Sequence, residues 1–89
     1  MKWIQKSAEQ GDANGQDSLG EMYRDGRGVQ QDDVRSYMWY SLAAARLTGD
    51  AQNLAVGSRD KIASHMTPPQ LAEAQRLARQ CQSQQFKGC

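Results

Sequence analysis

Apolar residues recur along the chain at intervals of three and four, which is the spacing of one face of an α-helix. This pattern predicts five helices. They cover residues 2–9, 13–25 and 33–47, with a fourth that follows Gly49 and a fifth that begins after Thr67. Alanine supplies much of the apolar content, which favours closely packed helices over a sheet. The predicted fold class is therefore all-α.

Residues that begin and end helices lie at the predicted boundaries. Gly26 can end the second helix, and Gly28 can take a positive φ in the turn that follows. Asp32 is the expected N-cap of the third helix. Thr67 and Gln70 have the spacing of a capping box, which marks the start of the fifth helix.

An internal repeat accompanies one glycine-rich motif. Trp3 and Ala8 recur as Trp39 and Ala44, each at a separation of 36 residues. Between the two pairs, residues 19–32 have the pattern L-G-x-x-Y-x-x-G-x-G-V-x-x-D. This spacing resembles the Sel-1-like repeat, a relative of the tetratricopeptide repeat that is built from helical hairpins.

The resemblance implies an α/α superhelical repeat, or solenoid, of about five antiparallel helices. Its domain is expected to cover residues 1–82. Within it lie a half repeat over 2–12, a full repeat over 13–48 and capping helices over 50–82. The glutamine-rich residues 83–89 are expected to form a flexible tail.

Two glycines inside the second helix carry separate expectations. Gly20 lies in the helix interior, where glycine costs roughly 1 kcal/mol relative to alanine. Close approach of the partner helix, where a side chain would not fit, is its expected use. Gly15 stands where the family usually has alanine, so we expect this helix to start late or to fray.

The resemblance also implies a function, because such repeats bind other proteins and carry out no chemistry. A non-enzymatic interaction module or adaptor, of bacterial origin, is therefore expected to present a concave surface to a protein partner. The first helix of each hairpin lines that surface, and its exposed stripe here consists of Asn14, Asp17, Glu21 and Arg24. The alternative is a small inhibitory or immunity-type protein that binds and blocks a partner enzyme or effector.

Length and charge exclude several other classes. The 89 residues make one small domain, and 11 Lys and Arg against 10 Asp and Glu give a net charge of +1. The charges are interspersed, so we expect no nucleic-acid binding. No stretch approaches the roughly 20 apolar residues of a membrane span. The compartment stays open, with an exported or periplasmic location favoured over the cytoplasm.

Candidate catalytic residues are few. His65, the one histidine, lies near a helix end, and neither an orienting partner nor a nucleophile can be assigned to it. Asp32 and Asp33 lie where a helix start favours negative charge, so capping explains them better than a paired-carboxylate mechanism. We therefore expect no catalytic, cofactor-binding or metal-binding residues.

Cys81 and Cys89 are separated by seven residues. Two thiols and one histidine are too few for a structural zinc site, which takes four ligands. A disulfide is possible if the tail folds back on the fifth helix. The other interpretation is a buried free thiol, because Cys81 lies on the apolar stripe of that helix. Redox compartment decides between the two.

The first helix carries the last expectation. As the second half of a repeat, it leaves one face of Trp3 and Ile4 without the usual partner helix. An apolar solenoid end of this kind tends to be covered by a second copy or by a partner. A weak homodimer through residues 1–10 is the expected consequence.

Overall fold

The computed structural model describes residues 2–89, with side chains from Trp3 onward. These residues form five α-helices, as predicted. The helices are α1 (Lys2–Glu9), α2 (Ala13–Asp25), α3 (Asp33–Arg46), α4 (Gly49–Ala63) and α5 (Pro68–Ser83). Each of the first four packs on its neighbour in sequence, and α5 returns to pack on α3. The third helix is therefore the centre of the fold.

The predicted helix boundaries are confirmed by their capping contacts. Gly26 ends α2 with φ +70°, and Gly28 has φ +77° in the turn that follows. The Asp32 carboxylate accepts a hydrogen bond from the Arg35 N–H at 3.1 Å. Thr67 and Gln70 form both bonds of the capping box at the start of α5. Local chemistry thus sets where the helices start and stop.

Glycines allow α2 to approach both of its neighbours. A Cβ atom at Gly20 would lie 3.1 Å from the ring of Tyr40 on α3, so the expected close approach is confirmed. The expectation for Gly15 is wrong, because α2 already begins at Ala13 and Gly15 is buried. A Cβ there would lie 2.9 Å from the Ser7 Cβ and 3.0 Å from the Ala8 nitrogen of α1. Gly15 is therefore a second point of close contact.

Two clusters of buried side chains form the core, and α3 contributes to both. The first joins α1, α2, α3 and α5 around Leu19, Trp39 and Leu42. The second joins α3, α4 and α5 around Tyr40 and Ile62. Polar contact also crosses the α2–α3 interface, where the buried Ser36 hydroxyl donates to the Gly20 carbonyl at 2.7 Å. This bond supplies the Ser36 hydroxyl with a partner inside the core.

Trp3 does not share the burial of its repeat counterpart. Trp39 is 1% exposed in the core, whereas Trp3 on α1 is 86% exposed. At the other end of the described chain, residues 84–89 do not continue the direction of α5. They turn back and place Phe86 and Cys89 against the first core cluster.

Candidate functional site

The four residues predicted to contact a partner lie along α2 over about 15 Å, given the helical rise of 1.5 Å per residue. Asn14 and Arg24 lie at the two ends of this stripe, and both are exposed. Asp17 and Glu21 between them are half-buried. The stripe is therefore accessible at both ends and partly shielded in the middle.

Arg24 is the centre of a small ion network at the C-terminal end of α2. Its guanidinium donates to both carboxylate oxygens of Asp25, at 3.0 and 3.1 Å. The Oε1 atom of Glu21 lies 3.9 Å from Nη2 of Arg24 and 3.4 Å from Nη2 of Arg27. The hydrogen bond from Arg24 lowers the pKa of Asp25. The four side chains are 37–68% exposed, so the network contributes little to stability.

The environment of Asp17 is unfavourable for a charged carboxylate. Burial raises its pKa, the charge of Glu21 raises it further, and Arg24 partly opposes the shift. The ring of Tyr40 lies against Gly20, and burial is the main cause that raises the pKa of its hydroxyl. The positive charge of Arg24 thus offsets only part of the cost of burying the Asp17 carboxylate beside Glu21.

An open groove runs between α2 and α4. It consists of two adjoining hollows of about 310 and 530 Å³ that share Arg24, Lys61 and Ile62. We call it the α2–α4 groove, and the lining residues used below are Arg24, Asp25, Leu54, Lys61, Ile62 and His65. Arg24 is the predicted stripe residue that lies on its wall.

Leu54 is the functional candidate that sequence reasoning missed. It lines the groove and is 73% exposed, although it belongs to the apolar pattern of the fourth helix. Ala55 and Ile62, seven residues apart, are the buried residues of α4. Leu54 precedes Ala55 by one residue, which turns its side chain about 100° away from the core at 3.6 residues per turn. A helical projection centred on Ala55 and Ile62 finds it.

The groove contains the one histidine of the chain. His65 lines the groove and is exposed. Across residues 2–89, no three His, Cys, Asp or Glu side chains lie close enough together to hold a metal ion. No helix in the described part of the chain has both the length and the apolar character needed to cross a membrane.

The two cysteines lie at the α3–α5 interface, outside the α2–α4 groove. A disulfide joins Cys81 on α5 to Cys89, with their Cα atoms 5.7 Å apart. Cys81 is 2% exposed, and Cys89 is partly exposed. The sulfur atoms therefore connect the buried face of α5 to the end of the folded-back segment.

Comparison with known protein families identifies a helical repeat in the first half of the chain. The chain is similar to the Sel1 repeat over residues 1–12 and 13–46, which are 46 of its 89 residues. The matched residues comprise α1 and the α2–α3 hairpin with its glycine turn. No curated protein and no solved structure matches the chain.

Proposed function

We propose that this chain, which belongs to the Sel1 repeat family, is a non-enzymatic module that binds a protein partner in the α2–α4 groove. Sel1 repeats are helical repeats that generally mediate protein–protein interaction. The inhibitory role that the sequence left as an alternative gains no support from the family match. An adaptor function is therefore the one proposed.

The exposure of Leu54 carries the proposal. An aliphatic side chain with 73% of its surface exposed gains most from a partner that removes that surface from water. Next to it on the groove wall, Gly57 has no neighbouring atom within 4 Å of an ideal Cβ position. The wall is therefore recessed beside Leu54, and an apolar side chain of the partner can enter there.

Lys61 indicates the charge that the partner should carry beside this apolar group. It lies seven residues after Leu54, two helical turns or about 10 Å along α4. Within residues 2–89, Lys61 forms no ion pair, whereas Arg24 across the groove is held by Asp25. A partner segment with an apolar residue and a carboxylate about 10 Å apart matches this arrangement. A helical partner segment would present such an apolar residue and carboxylate on one face if they stood at positions i and i+7.

Site-specific photo-crosslinking in the organism that encodes the chain tests the proposal. A photoreactive amino acid replaces Leu54 in one variant and Gln75, an exposed residue of α5, in the matched control. We expect Leu54 to yield a protein adduct that Gln75 does not. The adduct should weaken when Arg24→Glu or Lys61→Glu is added, since reversal of an interface charge introduces repulsion. The same adduct at both positions, insensitive to these reversals, would contradict the groove.

The remaining stripe residues give a narrower test of how far the interface extends along α2. Glu21→Lys is expected to weaken binding while helicity and the melting temperature stay nearly unchanged, because surface charges change stability by about 0.5 kcal/mol or less. Normal binding of this variant together with loss in Arg24→Glu would confine the interface to the groove wall. Circular dichroism provides the fold control for both.

Self-association through α1 is a separate proposal that rests on Trp3. The indole is 86% exposed and lines a shallow hollow with Lys6, Ser7 and Gln10. We propose a weak homodimer in which residues 1–10 of two copies cover this apolar surface. Sedimentation should show association at high concentration that Trp3→Ala removes. A strict monomer in both proteins would contradict the dimer and leave the groove proposal intact.

A further inference from the structure

The C-terminal segment, residues 84–89, lies along α3 rather than beyond it. At the C-terminal end of α3, the Arg46 guanidinium carbon is 5.3 Å from the centre of the Phe86 ring. At the N-terminal end, Arg35 donates from Nη1 to the carbonyl oxygen of Cys89 at 2.9 Å. The two arginines are 11 residues apart, or about 16 Å along the helix. Phe86 and Cys89 are only three residues apart, so arginine side chains from both ends of α3 reach one compact turn.

Phe86 links this segment to the first turn of the protein. Its ring packs against the core cluster that contains Ala8 and Leu42. A Cβ atom built at Gly11 would lie 3.5 Å from Phe86 Cε2, and Gly11 is itself buried. The ring thus fills the space between the α1–α2 turn and the C-terminal end of α3, and it joins α1 to the end of the chain.

The backbone of the segment requires a restraint. Gln85 and Phe86 have φ of 56° and 68°, in the left-handed region that side chains other than glycine rarely adopt. Several local backbone hydrogen bonds support the turn, and the shortest runs from the Phe86 N–H to the Cys81 carbonyl at 2.8 Å. The disulfide between Cys81 and Cys89 closes the same turn covalently. It is the strongest connection that keeps residues 84–89 on α3.

We propose that the Cys81–Cys89 disulfide is a redox-controlled lock, and that its reduction releases residues 84–89 from α3 and loosens the α1–α2 turn. The reductant is a dithiol. One thiolate attacks Cys89 Sγ, the more exposed sulfur, and forms a mixed disulfide with it. The S–S bond breaks toward Cys81, whose thiolate takes a proton. The second thiol of the reductant then displaces Cys89, so that the dithiol leaves as a disulfide and both cysteines are reduced.

Release of the segment exposes a defined surface. The hollow beneath the disulfide is lined by Met38 and Leu77, together with Arg35 and the two cysteines. In the oxidised protein, Cys89 and Phe86 pack against this part of the core. None of these residues lines the α2–α4 groove. The lock therefore acts on a face separate from the proposed binding site, and either proposal can fail without the other.

Hydrogen exchange of the full chain, oxidised and after treatment with a phosphine reductant, tests the lock. Reduction should increase exchange at least tenfold for the amides of residues 84–89 and of residues 8–12. The amides of the α2–α3 interface should keep their protection. Cys89→Ser should show the same pattern without reductant and should not respond to it.

Two substitutions in the oxidised protein separate the lock from a general effect of the tail. Phe86→Ala keeps the disulfide and should loosen residues 8–12 alone, because the bond still holds the segment. Lys87→Ala, at an exposed neighbour, should change neither region. Equal exchange in the oxidised and reduced proteins would overturn the proposal. Loss of protection across α2 and α3 on reduction would also overturn it, since the disulfide would then support the whole domain.

Discussion

The α2–α3 hairpin and α4 differ in the share of their residues that is buried. Eight of the 14 residues of α3 are buried, against two of the 15 residues of α4. The hairpin is held by close approach at Gly20 and by the bond from Ser36 to the Gly20 carbonyl. The fourth helix instead leaves Leu54 in solvent beside the groove. The hairpin therefore contributes most of the buried core, whereas α4 is the helix that, in the proposed function, presents side chains to a partner.

The largest effect is expected where the hairpin core is densest. Trp39→Ala should lower the free energy of unfolding by roughly 3–5 kcal/mol, because a large buried side chain is lost and a cavity remains. Trp39→Phe should cost less, because it keeps an aromatic ring and removes an indole N–H that has no hydrogen-bond partner within residues 2–89. Urea unfolding measures both. A Trp39→Ala loss below about 1 kcal/mol, the size of an average substitution, would remove the hairpin as the source of stability.

A glycine-to-alanine substitution should lower the stability of the protein in the hairpin and raise it in α4. Gly20→Ala forces a methyl group to about 3.1 Å from the Tyr40 ring, so we expect destabilisation of roughly 1–3 kcal/mol. Gly57→Ala meets no atom within 4 Å in the middle of α4. It should stabilise by about 0.5–1 kcal/mol through helix propensity. Thermal melts of the two variants compare them directly, and destabilisation by both would contradict the contrast between the regions.

A smaller effect is expected from Asp17 on α2. Its pKa is raised in the folded protein above the ordinary value of 3.8. Between pH 3.8 and the raised pKa, the folded state therefore binds more protons than the unfolded state. The stability of the fold consequently falls as the pH rises through this window. Asp17→Asn should be slightly more stable than the wild type at neutral pH, by about 0.5 kcal/mol or less. The difference should vanish well below the ordinary pKa of 3.8, as checked by urea unfolding across pH. An advantage that persists there would exclude the carboxylate charge as its cause.

Most of the fold follows from local sequence signals, whereas most of the surface does not. Gly26, Asp32 and Thr67 mark helix ends because their capping chemistry acts within a few residues. The expectation for Gly15 fails because its close contact is with α1, and local propensity carries no information on such packing. The helical period identifies an apolar stripe on α4, but only the burial of Ala55 shows that Leu54 lies outside it.

Tertiary placement also explains the remaining differences. Trp3 and Trp39 occupy equivalent repeat positions, yet only Trp39 lies within the core cluster. The glutamine-rich composition of residues 83–89 predicts a flexible tail. The contact of Phe86 with Arg46 and Gly11 joins positions 40 and 75 residues apart, respectively, so no local pattern indicates it. The stripe residue Arg24 lies on α2 as predicted, while its groove depends on how α4 packs on α3.

Affinity for the purified protein tests the central claim most directly, because it does not require the natural partner to be identified. Peptides of about 15 residues are selected from a random library on the wild type and titrated calorimetrically against Leu54→Ala, Lys61→Glu and the exposed-site control Gln75→Ala. We predict that the selected peptides carry an apolar residue and a carboxylate two helical turns apart. Both groove variants should bind them at least tenfold more weakly, about 1.4 kcal/mol, at an unchanged melting temperature. Equal affinity for the wild type and both groove variants would contradict the account.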